Sequence, residues 1–151
     1  MDVDGSTPTG AAPWKSSTRL PFALGGLRGQ RERLLDDLDA HALPIELAHD
    51  ASLVLDELMT NAVQHGIPLE GGSLDVCWGA WDGLVHVEVT GGGPGTVPVP
   101  GPATAGATRG RGLAIVAALA ASWGVRAGHA STTVWAALPS GDGAGQHAVQ
   151  T

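Results

Sequence analysis

Apolar residues recur at helical spacing between Pro44 and Gly66, and this is the strongest periodic pattern in the chain. Spacing of three and four residues places side chains on one face of an α-helix. Pro44 suits the first turn of such a helix, and Gly66 followed by Pro68 marks its end. A weaker pattern predicts an earlier helix over residues 27–41. The stronger helix buries a stripe made of Leu47, Ala51, Val54, Leu55, Leu58 and Ala62.

Alternation of apolar and polar residues predicts a β-hairpin in the middle of the chain. Val85, Val87 and Val89 alternate with polar residues. Asp82-Gly83 is a favourable two-residue turn between two such runs. We therefore expect strands over residues 73–80 and 84–90.

Further elements follow from shorter patterns. Residues 19–24 favour a short edge strand, because proline at position 21 limits its pairing. A long stretch of Pro, Gly, Ala and Thr over residues 96–108 predicts a loop of the kind that serves as a lid or is disordered. The remaining prediction is a helix of small residues over 110–122 and strands over 123–127 and 132–138.

This order of elements predicts an α/β (α+β) two-layer sandwich. A strand, two helices, two strands, a loop, a helix and two strands imply helices on one face of a mixed, mainly antiparallel sheet. Small and polar residues dominate 1–18 and 140–151, which we expect to be tails. The folded domain is predicted to span residues 19–139.

Composition excludes several functional classes. The net charge is −7 with only 8 Lys+Arg, so a nucleic-acid interface and an anionic membrane surface are not expected as partners. The longest apolar run, residues 112–121, is shorter than the roughly 20 residues that span a bilayer. The acidic N-terminus lacks a secretory pattern, and the single cysteine, Cys77, permits no internal disulfide. We expect a cytoplasmic protein with Cys77 buried in a strand.

The end of the stronger helix carries the first candidate chemistry. The segment ELMTNAVQHG places Glu57 and Asn61 four residues apart, hence on one helical face. The carboxylate can accept a proton, and the amide oxygen can bind Mg²⁺. His65 in the last turn is suited to the helix dipole. Taken alone, the Glu–Asn pair is better explained as a polar patch on a surface helix.

Two glycine segments follow in order, GGGPG from Gly91 to Gly95 and GRG from Gly110 to Gly112. Backbone without Cβ can approach a flat ligand closely. The second segment is predicted to open a helix, where free N–H groups and the dipole favour phosphate. Such clusters are more often plain turns, but their order after the helix suggests a nucleotide site.

The whole constellation resembles the GHKL (histidine-kinase-like) ATPase superfamily, which includes DNA gyrase, MutL and histidine kinases. Within it, the chain is most similar to the anti-sigma-factor serine/threonine kinase branch (SpoIIAB/RsbW-like), of the actinobacterial stand-alone ATP-binding type. The segments ELMTNAVQHG, GRGLAIVAALAASWGV and TTVWAAL carry the resemblance. It covers about residues 19–138 and implies a Bergerat-type ATP-binding fold.

The resemblance also implies roles for individual residues. Glu57 would be the general base, and Asn61 would hold Mg²⁺ against the phosphates of ATP. Residues 96–109 would form the ATP lid, and Thr133 on the last strand would reach the adenine region. The other implied ligand contacts are Gly91, Gly93 and Gly95 at the adenine and Arg109, Gly110, Arg111, Gly112 and Leu113 at the phosphates.

One departure from the family pattern concerns the adenine contact. The first glycine box of the family reads Asp-x-Gly-x-Gly, and Gly91 stands in place of the aspartate. A hydrogen bond to a charged group contributes about 1.5–3 kcal/mol, so its loss would weaken ATP binding roughly 10- to 150-fold. Gly91→Asp is accordingly expected to tighten ATP relative to GTP. The lid also lacks lysine, and its basic residues are Arg109 and Arg111.

Three functions remain open at this level. The first is a kinase that uses ATP and Mg²⁺ to phosphorylate an anti-sigma-factor antagonist. The second is a catalytically weak or nucleotide-free module that sequesters a sigma factor or its antagonist. The third, ranked last, is the catalytic domain of a histidine kinase, since no dimerisation helix pair with a phosphoacceptor histidine precedes the domain. ATP or ADP and a sigma factor or antagonist are the implied partners, and a homodimer is left open.

Overall fold

The computed structural model describes residues 12–93 and 107–140 of the chain. A 3₁₀ turn at Leu24–Gly26 precedes the first helix. The strands and α-helices of the described ranges are β1 (Trp14–Pro21), α1 (Leu27–Ala40), α2 (Ile45–His65), β2 (Ser73–Trp81), β3 (Leu84–Gly92), α3 (Ala107–Leu119), β4 (Ser122–Ala127) and β5 (Ser131–Pro139).

The five strands form one sheet in the order β1-β2-β3-β5-β4. Every neighbouring pair in the described part is antiparallel, so the expected mixed sheet is antiparallel throughout these ranges. The sheet is antiparallel here because β4 and β5 form a hairpin, and β5 then pairs antiparallel with β3. The predicted α+β sandwich, with its helices on one sheet face, is confirmed.

The hairpin of β2 and β3 forms where the sequence predicts it. Asp82 and Gly83 both have positive φ, at 58° and 73°. This is the backbone of a type I′ turn, whose twist matches that of the flanking strands. The two strands extend slightly beyond the predicted ranges, to Trp81 and Gly92.

Two of the predicted elements have wrong boundaries. β1 starts at Trp14 rather than at position 19, so residues 14–18, expected in the N-terminal tail, belong to the sheet. They pair with β2 from Trp14 opposite Ala80 onward, and half-buried residues alternate with exposed ones. The last helix starts at Ala107 and ends at Leu119, earlier than expected at both ends. Residues 1–11 and 141–151 of the expected tails, and residues 96–106 of the loop expected over 96–108, lie outside the described residues.

The core lies between the helices and one sheet face. The α2 stripe is buried as predicted, apart from half-buried Ala62 at its end. Trp78 of β2 is 1% exposed, and its indole N–H donates to Asp37 Oδ2 of α1 at 2.8 Å. Burial of each large apolar side chain contributes about 1.5–3 kcal/mol. This packing fixes the position of α2 over the sheet.

The opposite sheet face is open in the described structure. It carries Glu88, Thr90 and Trp135, all half-buried. Cys77 also lies on this face and is half-buried, not in the core as expected. Alternation along β2 assigns the core to Val76 and Trp78 instead. Among the helices of the described ranges, none is long and apolar enough to cross a membrane.

Candidate functional site

A pocket lies where the last turn of α2 passes over the end of β3 and the start of β5. Its volume is about 30 Å³, which is much smaller than the volume of about 300–1,000 Å³ that is typical of ligand sites. Of the predicted lid, residues 96–109, positions 96–106 fall outside the described residues. The described lining consists of Asn61, Ala62, His65, Gly66, Ile67, Val89, Gly91, Gly92, Thr132 and Val134.

Asn61 is one of the residues that line this pocket. Its Oδ1 is buried and has no hydrogen-bond partner among the described residues. A buried polar atom without a partner costs about 1–3 kcal/mol, and such atoms in native proteins call for an explanation. A ligand or cation that binds Oδ1 in the pocket supplies one. The structure places Asn61 in the lining of the pocket, and its role as a ligand stays a prediction.

Glu57 lies one helical turn before Asn61 and is half-buried. Burial raises its pKa above the ordinary value, and the negative charge of Asp56 raises it further. Burial also raises the pKa of Asp56, against the opposing charge of Arg31, whose Nη1 lies 3.3 Å from Asp56 Oδ2. A carboxylate with a raised pKa is a better proton acceptor near neutral pH. Glu57 flanks the pocket and is not part of its described lining.

Gly91 and Gly92 lie against the segment that leaves α2. A Cβ at Gly91 would lie 2.9 Å from the Ile67 carbonyl oxygen, and a Cβ at Gly92 would lie closer still to the carbonyl oxygen of Pro68. The Gly92 N–H also donates to the Ile67 oxygen at 2.8 Å. Residues 67 and 68 thus occupy the space that side chains at positions 91 and 92 would need.

Gly93 has a similar packing reason on its other side. A Cβ there would lie 2.7 Å from Thr132 Oγ1. The close approach of β5 therefore requires glycine at this position, whatever ligand the pocket takes. Gly95, the last residue of the predicted adenine contact, lies outside the described residues.

The structure does not bring Thr133 to the pocket. Its hydroxyl shares a hydrogen bond of 2.7 Å with the hydroxyl of Thr90 on the open sheet face. Thr132, the preceding residue, lines the pocket instead. Side chains alternate along a strand, so the buried side chain of Val134 places Thr132, not Thr133, on the helix-covered face. That alternation was readable in the sequence.

The pocket also contains residues that the sequence reasoning missed. Ile67 and Thr132 line it, and His65, interpreted only as a helix-dipole residue, lines it too. Ile67 lies between Gly66 and Pro68, in a stretch without periodicity, so no sequence signal pointed to it. The position of Asn61 on its helix did point to His65, which lies one turn further on.

The predicted phosphate segment is only partly located. Gly110, Arg111 and Gly112 lie inside α3 rather than ahead of it, so the free N–H groups of the helix start belong to earlier residues. The side chains of residues 107–112, Arg109 and Arg111 among them, lie outside the described part. Leu113 is 1% exposed and belongs to the apolar interior, so its side chain is not a phosphate contact.

The side chains of the described residues are suited to a cation that is bound jointly by the protein and by a nucleotide. They contain no group of three or more His, Cys, Asp or Glu side chains that could bind a metal by themselves. Magnesium usually takes one or two protein ligands and completes its shell with phosphates and water. The unpaired oxygen of Asn61 is suited to serve as one such ligand.

Comparison with known proteins identifies the class of this domain. Residues 21–138 match the model of the histidine kinase-like ATPase domain, and the chain therefore belongs to that family. The GHKL resemblance and the fold inferred from the sequence are thereby confirmed. Membership in an ATPase domain family implies ATP as the ligand.

Among solved structures, the chain is similar to the RsbU and RsbW domains of Rv1364c from Mycobacterium tuberculosis, with a TM-score of 0.63 and 21% identity. The match covers 83% of this chain and 32% of that one, so this chain spans about a third of the length of that protein. At this identity, the likeness shows the fold alone. No curated protein matches the chain.

Proposed function

We propose that this protein is an ATP-dependent serine/threonine kinase of the anti-sigma type, which phosphorylates an anti-sigma-factor antagonist. The observation that carries the proposal is Asn61, whose buried Oδ1 has no hydrogen-bond partner among the described residues. Asn61 lines a pocket of a histidine kinase-like ATPase domain. The likeness in fold to a structure that contains an RsbW domain supports the anti-sigma assignment.

The proposed chemistry is a single displacement at the γ-phosphorus of ATP. The substrate hydroxyl oxygen bonds to phosphorus, the bond from phosphorus to the ADP oxygen breaks, and Glu57 accepts the hydroxyl proton. Phosphoryl transfer depends mainly on positioning and charge neutralisation. Mg²⁺, held in part by Asn61, would neutralise the phosphate charge. The raised pKa of Glu57 favours it as the proton acceptor.

The test of the kinase is phosphate transfer from γ-labelled ATP to a purified anti-sigma antagonist. Glu57→Gln keeps the size of the side chain and removes its basicity, so transfer should fall by about 10²- to 10⁴-fold, with ATP affinity retained. Glu70→Gln, at an exposed turn position, is the matched control and should transfer normally. Equal rates in Glu57→Gln and wild type would eliminate Glu57 as the base.

The pH profile of transfer tests the same assignment independently. Glu57 must be ionised to accept a proton, so the rate should rise as pH passes upward through its raised pKa. Asp56→Asn removes the negative charge that contributes to this rise, and the acidic limb should therefore move to lower pH. An unchanged limb would mean that another group controls the profile.

A second candidate is a binding module that holds a sigma factor or its antagonist with little or no catalysis. The small pocket and the Ile67 carbonyl beside Gly91 favour it. This candidate predicts that Asn61→Ala leaves partner affinity unchanged, as measured by titration with the purified partner. Loss of partner binding in that variant would argue against it.

A further inference from the structure

A second concave surface, which we term the acidic groove, lies at the opposite end of α2 from the pocket. It runs between the first turns of α2, the end of α3 and the end of β5, and its volume is about 370 Å³. Asp50 and Asn61 are eleven residues apart on α2, or about 17 Å along the axis at about 1.5 Å per residue. The groove is lined by Pro44, Glu46, Leu47, Asp50, Leu119, Leu138 and Pro139.

The charge of the acidic groove is unbalanced. Glu46 and Asp50 are spaced i,i+4, and like charges at this spacing destabilise a helix. The described lining contains no basic residue. The ion pairs of the described residues involve other carboxylates, those of Glu32, Asp56, Asp75 and Glu88. A cationic group between Glu46 and Asp50 would relieve this repulsion.

The floor and rim of the groove are apolar. Leu47 and Leu138, 8% and 1% exposed, form part of the lining with Leu119. Ile45, between two lining residues in sequence, is 74% exposed, whereas the other exposed large apolar residues of the described ranges reach at most 43%. Ile45 therefore adds exposed apolar surface between Pro44 and Glu46 of the groove lining.

We propose that the acidic groove docks an amphipathic helix of a partner protein, with apolar side chains against Leu119 and Pro139 and Lys or Arg side chains beside Glu46 and Asp50. Helices that lay an apolar face into a groove are a common recognition mode. Charge complementarity selects a basic helix over an acidic one. The net charge of −7 on the chain also attracts a basic partner and increases its rate of association.

The test uses a capped helical peptide about three turns long, with leucine on one face and lysine elsewhere, and a control peptide with glutamate in place of lysine. Methyl NMR of leucine-labelled protein should show the Leu119 and Leu138 signals shifting with the lysine peptide alone. Glu46→Gln and Asp50→Asn should each weaken binding about two- to fivefold, as expected for an exposed ion pair.

Glu70→Gln removes the same charge at the other end of the molecule and should leave peptide affinity unchanged. Equal weakening in Glu70→Gln and Glu46→Gln would overturn the proposal, because binding would then follow overall charge. Equal binding of the glutamate peptide, or shifts that spare Leu119 and Leu138, would also overturn it. So would self-association of the free protein through this groove, measured by sedimentation and lost in Ile45→Ser, since a second copy would then be its occupant.

Discussion

At the scale of single residues, two positions define the pocket. Asn61 brings an amide oxygen with no partner in the described structure, and Gly91 lacks the side chain that the family pattern places there. The first position favours a bound nucleotide with its cation. The second would leave a bound adenine without the charged acceptor of the family pattern, and the Ile67 carbonyl fills part of the space. The two positions therefore make separable predictions.

Asn61→Ala should weaken Mg-ATP binding by about 10- to 150-fold, the range for a lost hydrogen bond to a charged group. Thermal stability should stay the same or rise slightly, because the variant removes a buried amide oxygen that has no hydrogen-bond partner among the described residues. Gln64→Ala, exposed on the same helix, is the control for nucleotide titration and thermal melting. Lower stability with unchanged affinity would make Asn61 a structural residue.

Gly91→Ala should lower the free energy of unfolding by about 1–3 kcal/mol, the usual range for overpacking, because its Cβ meets the Ile67 backbone oxygen. Gly29→Ala has open space around its Cβ and should stabilise α1 by up to about 1 kcal/mol. Urea unfolding measures both changes. A Gly91→Ala protein as stable as wild type would show that residues 67 and 68 move easily.

The same contact bears on Gly91→Asp, which the sequence predicts will tighten ATP binding. Any gain in adenine selectivity has to be measured beside a loss of stability of similar origin, so nucleotide titrations of this variant need its unfolding curve as well. The sequence shows the missing carboxylate, but not the carbonyl that takes up its space.

At the scale of elements, one hydrogen bond ties a helix to the sheet. The Trp78 indole, almost fully buried on β2, donates to Asp37 on α1. This bond crosses the core on the side of α1 that faces the sheet. It therefore links the stability of the helix layer to that of the central strands.

Asp37→Ala should lower the free energy of unfolding by about 1–3 kcal/mol, because it leaves a buried N–H without an acceptor. Asp37→Asn keeps an acceptor oxygen and should cost less. Asp36→Ala, at the exposed neighbouring position, should change stability little. If Asp36→Ala and Asp37→Ala are equally destabilising in urea unfolding, the cost comes from the helix and not from the bond to Trp78.

Most elements were predictable because their patterns are local. The stripe of α2 and the Asp82-Gly83 turn each contain their own signal within a few residues. β1 contains no such local signal, because its Ser and Thr residues form a strand only when β2 is present beside them. The pocket contains residues of both kinds. The helix pattern predicts the position of Asn61, whereas the contacts of Ile67 with the glycines depend on which segments meet in the fold.

At the scale of the whole molecule, the titration of half-buried groups sets the pH dependence of stability. Burial lowers the pKa of His86, although Glu88 and Asp82 oppose the shift. The unfolded chain therefore binds the proton first, and stability falls as pH drops below the ordinary histidine value of about 6.5. Asp56 and Glu57 have raised pKa values in the fold, so the folded chain binds these protons more tightly and their contribution to stability increases as pH falls through those values.

As pH falls below about 6.5, the titration of His86 lowers stability, because the unfolded chain binds that proton more tightly. His86→Gln should therefore flatten the loss of unfolding free energy on acidification, even though it also removes the ring stacked on Trp81 at 3.8 Å. His49→Gln, at an exposed position, is the matched control and should keep the wild-type slope. Parallel slopes for His86→Gln and wild type would place the titration elsewhere.

An ATP site built around Asn61 is best tested by calorimetric titration of the protein with ATP, ADP and GTP in the presence of Mg²⁺, alongside Asn61→Ala. We expect saturable binding of both adenine nucleotides, weaker binding of GTP, and a marked loss of affinity in the variant. Absence of binding for all three nucleotides at millimolar concentration would contradict the ATP site and leave a regulatory module that works without nucleotide.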